Sequence, residues 1–182
     1  MNDKMSCLAS RRGAAALEFG LLSPVFIAIL AAIVDIGSAL TGSLFVNSAV
    51  AAGSNFGLVN AANVTSANGA TLANNIAAIV ANNNNAATSN VVVNNGPTAS
   101  VTLGTPASGG TAANANSCYC PTGTATSLTW GSAIACGNSC TGGGTAGKFI
   151  LVSARYSFTP LFGGLSFVPA GNITAASVVQ TQ

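Results

Sequence analysis

Charge is what this chain has least of. It carries 5 Lys and Arg and 3 Asp and Glu in 182 residues, or 4%, where an average soluble protein has about 25%. Asp3, Lys4, Arg11, Arg12, Glu18 and Asp35 all lie near the N-terminus, and Lys148 and Arg155 are the others. From Ile36 to Gly147 there is no formal charge. Solubility there rests on neutral hydrogen-bonding groups, chiefly Ser, Thr and the 19 Asn of the chain. Such a surface suits a secreted or cell-surface protein. With a formal net charge of +2, nucleic-acid binding by phosphate neutralisation is excluded.

Histidine is absent altogether, which removes Ser-His-Asp and Cys-His nucleophilic arrangements. The carboxylates are Asp3, Glu18 and Asp35, one in the N-terminal tail and two bracketing an apolar run. No pair of them can flank a glycosidic bond, and no cluster can hold calcium or magnesium. The expectation is a non-enzymatic protein with no cofactor and no metal site. Gly142-Gly143-Gly144-Thr145-Ala146-Gly147-Lys148 does fit the phosphate-cradling pattern G-x4-G-K. However, Phe149 stands where Ser or Thr would hold magnesium, and the next segment reads as a strand. A glycine-rich hairpin loop is the better reading. Asn63-Val64-Thr65 and Asn172-Ile173-Thr174 match the glycosylation triplet, a pattern common by chance.

What the chain does have is an apolar run. Gly13 to Val34 is interrupted by one charge, Glu18, and about twenty residues at ~1.5 Å rise span a bilayer. Pro24 is tolerable there, because neighbouring groups in a membrane helix can satisfy the freed carbonyl. The basic residues precede the span, so the positive-inside rule puts the N-terminus in the cytoplasm. A carboxylate at the centre of a membrane helix costs about 2.5–3.5 kcal/mol on insertion scales. Glu18 sits near the end and costs less, yet it still requires a reason. Asp35 follows about 25 Å further along a helix, so the two carboxylates mark opposite membrane boundaries. A cleaved secretory signal is the competing reading. Its best cleavage site, Ala49-Val50-Ala51, lies too far beyond the apolar run.

Cysteine usage agrees with export. Cys7 precedes the run, and Cys118, Cys120, Cys136 and Cys140 cluster far downstream. Four cysteines in an exported segment predict two disulfides, with C-x-C spacing arguing against zinc. Three connectivities are open; an antiparallel hairpin would favour the nested pairs 118–140 and 120–136.

Beyond the span the helical pattern continues through Leu40, Leu44, Ala49, Ala52 and Phe56, with Gly57 as the expected stop. Leu72, Ile76, Ile79 and Val80 predict a second helix over 72–81, capped by Thr71 and ended by Asn82–Asn85. Strands are predicted at 91–93, 99–103, 126–130, 149–158 and 173–179. The fourth is clearest, since Ile150, Val152, Ala154, Tyr156 and Phe158 alternate onto one face. Segments 104–125 and 131–147 read as loops stapled by the cysteines. The fold class expected is α+β: a long N-terminal helix, half within the membrane and half beyond it, packed on a small antiparallel sheet, with a disulfide-stapled loop region.

Gly13-Ala14-Ala15-Ala16-Leu17-Glu18-Phe19, Leu22-Ser23-Pro24, Val34-Asp35-Ile36-Gly37 and Phe45 to Gly53 together resemble the TadE-like family. These are minor pilins or pseudopilins of the tight-adherence (Tad/Flp) branch of type IV pilus machinery. The resemblance covers about 12–57 well and Tyr156–Leu161 through Ile173–Ser177 more loosely. It departs from the family at Ser38, where an Arg is usual, and in the uncharged extension of the helix.

The resemblance implies a leader over 1–13, a transmembrane helix over 14–35, its periplasmic extension over 36–57 and an exported α+β domain over 58–182. It implies cleavage by a prepilin peptidase between Gly13 and Ala14, and an assembly and processing role for Glu18 and Phe19. Implied partners are the peptidase, other pilin or pseudopilin subunits, the inner-membrane Tad assembly platform and the membrane itself. The implied location is the bacterial inner membrane, single-pass, with the C-terminal domain periplasmic and at the pilus or cell surface after assembly. The implied function is structural, in Tad/Flp pilus assembly and surface adhesion. The alternative is a signal-anchored cell-surface adhesin or binding module unrelated to pili.

Overall fold

A computed structural model describes residues 11–84, 88–164 and 168–182, the side chains of 11–15 and 83–84 excepted. Most of the predicted leader, with Cys7, lies outside them. The architecture is α+β: a long N-terminal apolar helix, a second helix and an antiparallel sheet of five strands. Helix α1 is Arg11–Val59. The chain divides into two compact units, one holding the described residues up to Ala39 with Thr159–Pro169, the other Leu40–Phe158 with Ala170–Gln182.

In the first unit, α1 is apolar on all sides and contains Pro24. Its large side chains face outward; Phe19, Leu21 and Phe26 are 74%, 70% and 63% exposed. Ala31 and Asp35, one turn apart, are the buried exceptions. On that face the Leu161 N–H donates to Asp35 Oδ1 at 2.8 Å.

In the second unit, α1 continues from Leu40 and turns a face of small residues inward. Val46, Ala49 and Val50 are buried at helical spacing. At Gly53 a Cβ would lie 2.6 Å from Val80 Cγ2 and 3.3 Å from Val152 Cγ1, and at Gly57 it would lie 3.0 Å from Ile150 Cδ1. Hydrogen in place of a side chain is what permits that approach. Gly57 is thus a packing notch rather than the expected stop, and the helix runs on to Val59. Helix α2, Gly69–Asn84, buries Leu72, Ala73, Ile76, Ala77 and Val80. Its start precedes the expected cap at Thr71, because the turn before it is fixed by Thr65, whose Oγ1 accepts the Asn68 N–H at 3.2 Å.

The sheet has the order β3-β2-β1-β6-β7 and every pairing is antiparallel. Its strands are β1 (Thr88–Val93), β2 (Pro97–Thr102), β3 (Thr105–Gly110), β6 (Phe149–Phe158) and β7 (Gly171–Gln180); β4 (Thr122–Thr124) and β5 (Ser127–Thr129) form a separate hairpin. Alternation puts Val91, Val93, Ile150, Val152 and Ala154 on the face covered by the helices. Ser89, also on that buried face, donates to Ala77 O at 3.0 Å, which satisfies its hydroxyl. The β1–β2 turn places Asn94 and Asn95 at φ 52°, the positive-φ pair of a tight hairpin turn, where Asn is well tolerated.

Two expectations change here. Segment 104–125 is not all loop, since it contains β3, a 3-10 turn at Ala112–Asn116 and β4. Strand β3 is fully exposed and is held by backbone pairing with β2, so it lacks the apolar alternation that reveals a strand. The strand expected over 126–130 forms as β5 but pairs only with β4.

Candidate functional site

The residues that carried specific chemistry in the sequence lie on the first unit's helix. Gly13 and Ala14 fall within the first turn of α1, and Glu18 and Phe19 follow about one turn later, both exposed. Glu18 forms no ion pair with any described residue. An exposed carboxylate in an apolar stretch leaves its charge free to be met by something outside the chain. Glu18 and Asp35 do not meet, because about 25 Å of helix separates them.

Asp35 has a role that the sequence did not reveal. Its side chain is fully buried. Oδ1 accepts the Leu161 N–H across 126 residues of sequence, and Oδ2 has no hydrogen-bond partner among the described residues. Ser38 Oγ donates to the Asp35 carbonyl at 2.8 Å, a helical i to i−3 contact. The carboxylate therefore pins the β6–β7 connection to α1. A buried carboxylate with one lone acceptor is costly unless further donors reach it.

The four downstream cysteines come together in two disulfides, Cys118–Cys136 and Cys120–Cys140, with Cα–Cα distances of 5.1 and 5.7 Å. The nested pairing is overturned. Its premise was a simple hairpin, but segment 118–120 is flanked on both sides: Cys118 bridges Ile134 and Tyr119 bridges Gly147. Residues 135–147 fold from one flank to the other. This carries Cys136 to Cys118 and Cys140 to Cys120. In the chain-entropy model loops of this size contribute about 3 kcal/mol each.

Nearby, Asn94 is completely buried and was missed. Its Nδ2 donates to Ala115 O at 3.1 Å and Ser117 O at 2.6 Å, while Oδ1 accepts the Phe149 N–H at 3.2 Å. One side chain so joins the β1–β2 turn, the 3-10 turn and the start of β6. The Asn94-Asn95-Gly96 run signalled a turn but not this burial. The glycine-rich stretch 142–147 leads into strand β6, and Lys148 Nζ donates to Val64 O at 3.0 Å. That lysine supports the fold.

Compared with models of protein families, residues 13–55 match TadE, described as TadE-like protein. The match opens at Gly13, includes Glu18, Phe19 and Asp35, and ends in the packed half of α1. No curated protein and no solved structure matches the chain. The N-terminal segment is TadE-like. The match spans 43 of the 182 residues, all of them within α1. The same helix is long and apolar enough to cross a membrane, with only 11% of its most apolar window buried within the chain.

Proposed function

We propose, from this TadE-like segment, that the protein is a minor pilin or pseudopilin that serves the assembly of a Tad-type pilus and, through it, surface adhesion. The observation that carries the reading is a coincidence: the family match begins at Gly13 and runs along the very helix whose large apolar side chains are exposed. A membrane supplies the apolar surroundings that those side chains lack, and a bundle of neighbouring subunits could supply them after assembly.

In this mechanism Arg11 and Arg12 hold the N-terminus on the cytoplasmic side. A prepilin peptidase cuts after Gly13, where the missing side chain admits close approach to the backbone. The new amine of Ala14 then pairs with Glu18 of an adjacent subunit. That pairing neutralises a carboxylate in an apolar setting and fixes the axial register, a specificity role for a buried ion pair. Phe19 accompanies Glu18 as part of the same contact. Asp35 lies at the outer boundary of the span, and the unit of Leu40–Phe158 and Ala170–Gln182 faces the periplasm with its disulfides. The role is structural and non-enzymatic. It involves the inner-membrane assembly platform as the site where subunits are taken up.

The test is Glu18→Ala. The variant is expected to insert into the membrane at normal levels and to disappear from the sheared pilus fraction and from crosslinked subunit complexes. Normal recovery in both would remove the assembly role of Glu18.

A further inference from the structure

The outer face of the sheet, opposite the helices, carries a cleft of about 490 Å³ roofed by the β4–β5 turn and the start of β5. That volume lies in the range of small-ligand sites, roughly 300–1,000 Å³. Strand register explains its lining. Arg155 lies between Thr88 and Thr174, its Cα partners on β1 and β7, and Ser153 lies beside Asn90 in the next row. Ser127 closes the polar side from above, and Leu128, Leu151 and four alanines make most of the remaining lining apolar, a surface on which the apolar face of a sugar ring can rest. Ser153 Oγ donates to the Asn90 main-chain carbonyl at 3.2 Å, and the exposed Asn90 side-chain amide is engaged by no described residue.

Arg155 is the unusual member. Its guanidinium is exposed and makes no hydrogen bond or ion pair with any described residue. Nothing in its own unit could neutralise it, because the chain holds no Asp or Glu after Asp35. The final residue is occupied elsewhere: Gln182 O accepts the Lys148 N–H, alongside the far end of β6. About 20 Å of strand separates Lys148 from Arg155. A planar guanidinium presents a fork of donors matched to a carboxylate. The second cation of the unit, Lys148, is tied to Val64 O, so the cleft offers one positive charge and no more. That is too little for a phosphate polymer, whose binding needs several neutralised charges. One charge surrounded by hydroxyl and amide groups suits a ligand with one carboxylate per unit and many hydroxyls.

We propose that this cleft binds an acidic saccharide of the uronic acid class, with Arg155 anchoring the carboxylate and Thr88, Asn90, Ser127 and Thr174 meeting the ring hydroxyls. The site is separate from the pilin contacts of α1, and a chain that never entered a pilus would still bind.

The experiment uses the full chain in detergent, titrated with trigalacturonic acid, its methyl ester and a tripeptide containing glutamate, with binding read by calorimetry. Trigalacturonic acid is expected to bind, and to bind at least about tenfold more tightly than its ester, the worth of one charge-assisted bidentate contact. Arg155→Gln should lose that margin, Arg155→Lys should keep part of it, and Asn90→Ala should weaken both sugars together. Because Arg155 and Asn90 are exposed, unchanged thermal melting is expected for these variants and serves as the control for folding. Equal binding of acid and ester, undiminished binding by Arg155→Gln, or a tighter complex with the peptide than with the sugar would each overturn the proposal. The last result would assign the cleft to a protein carboxylate instead.

Discussion

The two halves of α1 differ in side-chain size and have opposite fates. Between Leu17 and Val34 the large side chains are exposed; between Val46 and Gly57 the small ones are buried. Gly20 shows the contrast most simply, since a Cβ built on it would meet nothing within 4 Å, whereas one on Gly53 would collide with Val80 and crowd Ile76 and Val152. The first half is specified by total hydropathy, which any large apolar residue satisfies. The second is specified by size at each inward position. One family match, over residues 13–55, runs along the first half and into the second, so the matched segment contains both an outward-facing apolar surface and most of one that completes its own core.

The sharpest way to break this comparison is to place the same bulk in both halves. Gly53→Leu is expected to destabilise the full chain by about 3 kcal/mol or more, the upper range for overpacking a filled site, seen as a lower thermal midpoint in detergent. Gly20→Leu should stay within about 0.5 kcal/mol. Equal effects would erase the distinction. Next in size comes Asn94→Ala, which strips the buried carbonyls of Ala115 and Ser117 and the Phe149 N–H of a partner. A loss of about 2–3 kcal/mol is expected, with no change in membrane insertion. A smaller effect, confined to the first unit, is expected at Asp35. Asp35→Ala should free the Leu161 N–H and speed chymotryptic cleavage near Leu161 and Phe162 several-fold. Asp35→Asn keeps an acceptor and should cleave at close to the native rate. If Asn behaves like Ala, the charge of Asp35 matters more than its hydrogen bond.

What the sequence disclosed follows the same division. The bounds of β6 were legible because five apolar residues alternate on its inner face. Helix α2 was legible from its Leu72–Val80 spacing. Both signals arise from burial of apolar side chains, which periodicity reports. Strand β3 gave no such signal, because Thr105–Gly110 buries nothing and is held by main-chain bonds to β2. Asn94 looked like one more surface asparagine, since hydrogen bonds to distant carbonyls leave no local pattern. The disulfide pairing depended on Ile134 and Gly147 flanking Cys118–Tyr119 from opposite sides, a tertiary fact. Asp35 could be read as a boundary charge from its place after the span, but Leu161 could not be foreseen 126 residues away. Gly13, Ala14 and Glu18 are the reverse case. Their arrangement in the sequence carries the functional argument, and the folded chain adds that the helix they begin is exposed.

The most direct test of the central claim is the mature N-terminus of the protein isolated from cell membranes, determined by N-terminal sequencing and intact mass for the native chain and for Gly13→Leu. Pilin-type processing predicts a native chain beginning at Ala14 and a Gly13→Leu chain that keeps its leader. A native protein beginning at Met1 would contradict that account in favour of a simple membrane anchor, and one beginning near Ala52 would contradict it in favour of a cleaved secretory signal.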